Sequence, residues 1–150
     1  MATICYHAAV LDQLERIAVA SVAVTARALV EAAGPELTFL GWRTLMVVGP
    51  EAESPRLSEL ADMLGTSRPS TSKLVRRLAR RGLLEMSGDP SDGRGVRVGL
   101  TADGLRLRQA VVDRRRELLR QGLGGADLEN ADRPGQASLA EVAERLGHWA

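Results

Sequence analysis

This sequence predicts a mainly α-helical fold that carries one small β-hairpin. Three observations support that class. Of the 150 residues, 45% are hydrophobic but only 3% are aromatic. The core must then be built from Leu, Val, Ala and Ile, which favours packed helices over an aromatic-rich sandwich. Apolar residues recur at helical spacing, as at Leu57, Leu60, Ala61 and Leu64. One stretch breaks that period: Val96-Arg97-Val98-Gly99-Leu100 alternates as a half-buried strand does, after a run rich in Gly, Pro and Asp.

The elements follow in order. About residues 7–33 read as one long helix, with Leu11, Leu14, Ile17, Ala18, Val22, Leu29 and Val30 on a wide apolar face and Gly34-Pro35 as its stop. Its length and its Ala/Val-rich flanks suit packing against a second copy of the chain. A second helix is expected over residues 36–48, ended by Gly49-Pro50, with a loop at 51–55. A third, over residues 56–64, is followed by Gly65, well placed for the left-handed conformation that closes a helix. Thr66 and Ser67 are N-cap candidates for a fourth helix, which runs to about Arg81 with Pro69 in its first turn. Its buried stripe is Leu74, Val75 and Leu78.

Residues 83–87 read as a short strand, 88–95 as a turn-forming loop, and 96–100 as the returning strand of a hairpin. Thr101 caps a fifth helix that continues to about Gln121 and breaks at Gly122, Gly124 and Gly125. A final amphipathic helix is expected over residues 137–148. The chain thus reads as one unit, with residues 36–100 forming a lobe between flanking helices at 7–33 and 101–148.

Net charge is +1, but its distribution is uneven. Residues 66–120 hold fourteen Arg and Lys against six Asp and Glu, while both flanking regions are net acidic. A basic middle between acidic ends suggests a polyanion partner; the plainer alternative is a set of solvated arginine-rich faces.

Helix, glycine turn, basic helix, strand, loop, strand is the order of a winged helix-turn-helix. In that arrangement the second helix of the pair enters the major groove N-terminus first. Ser67, Arg68 and Ser70 stand at its first turn, where free N–H groups meet phosphate. Ser70, Lys73 and Arg77 share an outward stripe, flanked by Arg76 and Arg80. Arginine reads guanine with two hydrogen bonds, whereas Lys73 supplies a point charge to phosphate. Arg94, near the wing tip, is placed to enter a minor groove. Asp92 would repel phosphate unless paired, with Arg94 or Arg97 as candidate partners, and all three join the candidate DNA-binding set. The chain has no glycine loop with a lysine for phosphate and no paired histidine and acid, so an enzyme is not expected. No cofactor or metal site is expected either.

The run from Leu57-Ser58-Glu59-Leu60-Ala61 through Gly65, then Ser67-Arg68-Pro69-Ser70-Thr71-Ser72-Lys73-Leu74-Val75-Arg76-Arg77-Leu78, then Arg81-Gly82-Leu83-Leu84, resembles the MarR family of transcriptional regulators. So does Asp89-Pro90-Ser91-Asp92-Gly93-Arg94 leading to Val98-Gly99-Leu100-Thr101 and Gly104. The resemblance covers roughly residues 7–122. It implies a homodimer with interleaved terminal helices, bound to a pseudo-palindromic double-stranded DNA operator. It also implies a repressor, released by a small-molecule effector or by oxidation. Three positions differ from the family pattern: Gly93 replaces the first arginine of the wing pair, Pro69 a small hydroxyl residue, and Arg76 an acidic one. Each changes the reading surface.

For the input, the resemblance implies a pocket between the dimer helices and the lobe. Trp42, Arg43 and Met46 are candidates to line it, against a plain core role for Trp42 and Met46. Cys5 is the single thiol, which excludes an internal disulfide and suits a reducing cytoplasm. It is the candidate for redox sensing, with Tyr6 beside it, against a plain inert cysteine. Cys5, His7 and His148 fall short of the ligand count and spacing of a metal sensor. No signal peptide is expected, and residues 17–26 are too short an uncharged run to span a bilayer. The chain is thus expected in the cytoplasm without membrane contact. The competing class is a winged-helix protein-interaction module with no DNA target.

Overall fold

Among the described residues of the computed structural model, seven elements follow one another: α1 (Ala2–Ala33), α2 (Phe39–Val48), α3 (Leu57–Leu64), α4 (Arg68–Arg80), β1 (Leu84–Asp89), β2 (Asp92–Leu100) and α5 (Ala102–Gly122). Residues 2–49, 54–90 and 92–122 are described, with the backbone alone at 2–10, 13 and 92–94. The helix expected at 137–148 lies outside them. The chain divides into two compact units, Met1–Leu119 and Arg120–Ala150. The first holds all seven elements except the last turn of α5.

Local chemistry explains the helix ends. The Arg56 N–H donates to Glu59 Oε2 at 2.8 Å, so an acidic side chain sits in the positive first turn of α3. At the other end Gly65 adopts φ +63°. Its N–H donates to the Asp62 carbonyl at 3.1 Å, and that of Thr66 to the Ala61 carbonyl at 3.0 Å. This pair of bonds satisfies carbonyls that the helix itself leaves open. Ser67 then caps α4 as expected: its Oγ accepts from the Ser70 N–H at 3.4 Å, with Pro69 in the first turn. The start of α2 differs from expectation. Thr38, rather than a residue before Glu36, is the cap, and its Oγ1 accepts the Gly41 N–H at 3.1 Å. Unwinding the first three expected residues satisfies a donor that a longer helix would leave open.

The hairpin also differs. The expected loop over residues 88–95 is mostly strand. Gly88 pairs with Val96, and Asp89 with Asp92 across a register shift, so only residues 90 and 91 lie between the strands. Pairing with the opposite strand overrides the poor strand propensity of Gly and Asp.

The core is aliphatic. Leu45, Val48, Leu60, Val75, Leu78, Val98 and Val111 are fully buried, drawn from α2, α3, α4, β2 and α5. In α4 the buried set is Thr71, Leu74, Val75 and Leu78, one face at i, i+3, i+4 and i+7. Thr71 is the member that apolar periodicity passes over. Its hydroxyl lies 2.7 Å from that of Thr66 and donates to the Ser67 carbonyl at 3.1 Å, so its burial leaves no polar atom open. α5 begins against the hairpin base, where Thr101 Oγ1 accepts the Gly104 N–H at 3.0 Å.

α1 meets this core through its C-terminal third, where Thr25, Ala28 and Leu29 are buried. Further up the same helix Leu11, Ile17, Val19 and Val22 are each more than half exposed, as is Val30 beside the buried Leu29. No helix among the described residues is long and apolar enough to cross a membrane.

Candidate nucleic-acid interface

Burial of Leu74, Val75 and Leu78 fixes which way the rest of α4 points. Ser70, Lys73 and Arg77 come out exposed or half-exposed, as do Ser67, Arg68, Arg76 and Arg80. The structure therefore brings every expected residue of this helix to the solvent-facing side. Ser70, Lys73, Arg77 and Arg80 line a cleft of about 430 Å³ together with Leu40 and Leu74.

Pairing separates these cations from others in the chain. Arg27 and Arg114 are bound to Glu31, Arg56 and Arg97 to Asp89, and Arg81 to Glu36. Among the described residues none of Arg68, Lys73, Arg76 or Arg80 is held in an ion pair, and the first turn of α4 contains no acid. Arg77 leans on the start of α2, with Nη2 3.5 Å from Thr38 Oγ1. A contact of that length is weak and leaves the guanidinium able to swing. Apolar periodicity passes over Thr38, although a threonine three residues before Gly41 is an N-cap signal.

In the wing, the backbone of Asp92 and Arg94 lies in β2, and their side chains are outside the described set. Arg97 is described, and it meets an acid that the sequence reading did not name. Its Nε meets Asp89 Oδ1 at 3.2 Å and its Nη1 donates to the Ser54 carbonyl at 3.0 Å. That acid is Asp89, whose side chain is fully buried. Asp89 pairs with Arg56, far away in the chain, so no local spacing reveals it.

The three candidates on α2 diverge. Trp42 is buried, with Arg115 Cζ 5.5 Å from its ring centroid. Met46 faces the same helix, its Sδ accepting from Arg108 Nε at 3.4 Å. Arg43 points instead to α3, where Nη2 donates to the Met63 carbonyl at 3.2 Å. Trp42 and Met46, four residues apart, share a face, whereas Arg43 lies about 100° around the helix and braces the end of α3. The Trp42 Nε1–H is buried without an acceptor among the described residues. Cys5 lies in the backbone of α1 and its side chain is outside the described set.

The arginines around Glu31 also set its charge. Hydrogen bonds from Arg27 first, and from Arg114 next, hold the Glu31 carboxyl below the ordinary glutamate range. The latter contact, 2.5 Å from Arg114 Nε, ties α1 to α5.

Residues 36–95 match the MarR family. The matched stretch is the winged-helix lobe. No curated protein sequence matches the chain. Among solved structures, RV1404 from Mycobacterium tuberculosis is 21% identical with a TM-score of 0.73, over 93% of this chain and 90% of that one. Sco3205, a MarR family transcriptional regulator from Streptomyces coelicolor solved in complex with DNA, is 23% identical with a TM-score of 0.64, over 93% and 84%. The PcaV transcriptional regulator from the same organism, solved with its natural ligand, is 23% identical with a TM-score of 0.58, over 91% and 89%. At these identities the likeness is one of fold, and it extends beyond the matched lobe to the long helices on either side.

Proposed function

We propose that this protein is a sequence-specific DNA-binding transcriptional regulator: a homodimeric repressor of a pseudo-palindromic operator, released by a small-molecule effector. The observation that carries the reading is α4. Its buried face anchors it, and its exposed face presents Arg68, Lys73, Arg76 and Arg80 without ion-pair partners among the described residues. A helix that faces solvent with unneutralised cations on a MarR-family winged helix is suited to a duplex. In this reading Ser67, Arg68 and Arg76 position the protein on phosphates. Lys73 adds a phosphate charge, and Ser70 and Arg77 meet base edges. The wing brings Arg94 to the minor groove, with Asp92 beside it shaping the tip. That Sco3205 was solved with DNA supports the same assignment.

The exposed Leu11, Ile17, Val19, Val22 and Val30 of α1 favour a second copy as the surface that covers them, with residues 7–33 and 101–148 as the dimerisation segments. The buried, unaccepted N–H of Trp42 favours an effector that offers a hydrogen-bond acceptor beside α2 and α5. PcaV, with its natural ligand, is a precedent within the fold.

The deciding experiment is selection of bound duplexes from random DNA, followed by affinity against salt and repetition with phenolic compounds, oxidant and zinc. Enrichment of a palindromic sequence whose binding weakens steeply with salt is the expected result. Failure to enrich any sequence, with binding to a protein partner that salt barely changes, would overturn the DNA reading in favour of an interaction module.

A further inference from the structure

Asp89 is charged, fully buried, and at the far end of the wing. Its Oδ2 meets Arg56 Nε at 2.5 Å and its Oδ1 meets Arg97 Nε at 3.2 Å. Three chain segments converge there. Asp89 is the last residue of β1, Arg97 lies in β2, and Arg56 caps α3. The backbone joins the same segments: Arg56 and Arg97 form an antiparallel bridge, and the Val98 N–H donates to the Pro55 carbonyl at 3.0 Å. A carboxylate with no exposed surface is retained only when paired, and here one guanidinium meets each of its oxygens.

Position gives this cluster its mechanical meaning. Leu84 starts β1 at the base of the hairpin and pairs with Leu100, while Asp89 pairs with Asp92 next to the turn. The strand between them spans about 17 Å. A two-stranded hairpin is marginal by itself in water and would pivot about its base. A bond at Asp89 acts at the other end of that lever, and it reaches α3, the first helix of the helix-turn-helix.

We propose that Arg56, Asp89 and Arg97 form a clasp that positions the wing. It sets the pitch of the hairpin against α3, so that the wing and α4 meet one duplex as a single body. This rests on the DNA-binding reading. It also gives Arg97 a role through Asp89 rather than through a base or phosphate, and makes Arg56 and Asp89 positioning residues.

The test uses the full chain and the variants Arg56→Met, Asp89→Asn, Arg94→Ala and the double variant of Arg56 and Arg94. Wing amide hydrogen exchange is measured without DNA. Affinity is measured for the duplex enriched from random sequence and for the unselected pool. Arg56→Met is expected to keep cooperative unfolding, to speed exchange at Ser87, Gly88 and Val96 about tenfold or more, and to weaken both duplexes. Because the wing arginine then works only through a positioned wing, the double variant should bind within about twofold of Arg94→Ala alone. Asp89→Asn should match Arg56→Met; if it fails to fold, Arg56→Met decides alone. Unchanged exchange in Arg56→Met, or losses that simply add in the double variant, would overturn the clasp. If the parent protein binds neither duplex, the DNA reading falls, and exchange by itself then decides whether Asp89 fastens the wing to α3.

Discussion

A side chain on Gly104 would drive its Cβ into the Leu83 carbonyl oxygen. The obstacle is backbone, which cannot swing aside, so α5 would have to lift away from the hairpin base. Gly104→Ala is therefore expected to cost about 3 kcal/mol or more, read as a lowered midpoint in thermal or denaturant unfolding. Glu31 gives a residue-scale prediction in pH. Its folded pKa is depressed by the hydrogen bonds from Arg27 and Arg114. The stabilisation from it is thus present above about pH 4.5 and lost as pH falls through the lowered folded value. Glu31→Gln removes that dependence, so the fall in Tm from pH 5 to pH 3 should become shallower than in the parent protein. An equally steep acid limb in the variant would show that Glu31 does not link α1 to α5 in solution.

At the scale of the element, α3 and α4 illustrate how much local chemistry encodes. Gly65, Ser67, Pro69 and the stripe of Leu74, Val75 and Leu78 are visible in the chain because each acts on neighbours within four residues. The expected outward face at Ser70, Lys73 and Arg77 follows from the same geometry. Ser67→Ala removes the oxygen that accepts the Ser70 N–H and should cost roughly 0.5–1 kcal/mol, measured by denaturant unfolding. On DNA, Lys73→Ala should weaken all sequences alike and lower the salt slope of the dimer by about two, one contact being lost from each copy. Arg77→Ala should cost about 1–3 kcal/mol at the selected operator and less elsewhere. Equal losses on operator and unrelated DNA for Arg77→Ala would remove it from the base-reading set. The wing is the opposite case. Gly88 and Asp89 look like loop residues one at a time, and they become strand only because a second strand lies beside them.

At the scale of the molecule, the exposed aliphatic face of α1 and the solvent-facing cations of α4 bear on the same expectation, since two copies present two basic helices to one duplex. A dimer using Arg68, Lys73 and Arg76 from each copy would neutralise about six phosphates, and its affinity should fall on the order of a thousandfold between about 50 and 200 mM salt. Light scattering or sedimentation should give twice the 16.1 kDa chain mass at micromolar concentration. A 16.1 kDa particle there would refute the dimer. Substituting Val19 and Val22 by Glu should dissociate it while leaving the lobe folded, because neither side chain belongs to the core cluster.

By itself the sequence determined the helical class, the helix-turn-helix, the hairpin and the exposed basic stripe of α4. Those follow from periodicity, caps and the left-handed glycine, all short-range effects written in consecutive residues. Tertiary structure decided the rest. It extended the wing strands through a run of poor strand formers. It turned Arg43 away from Trp42 and Met46, which share another face of α2. It paired Arg97 with Asp89 and brought Arg56 to the same carboxylate from 33 residues away. A buried charge is tolerable only where distant chain segments meet to neutralise it, and no local pattern records such a meeting.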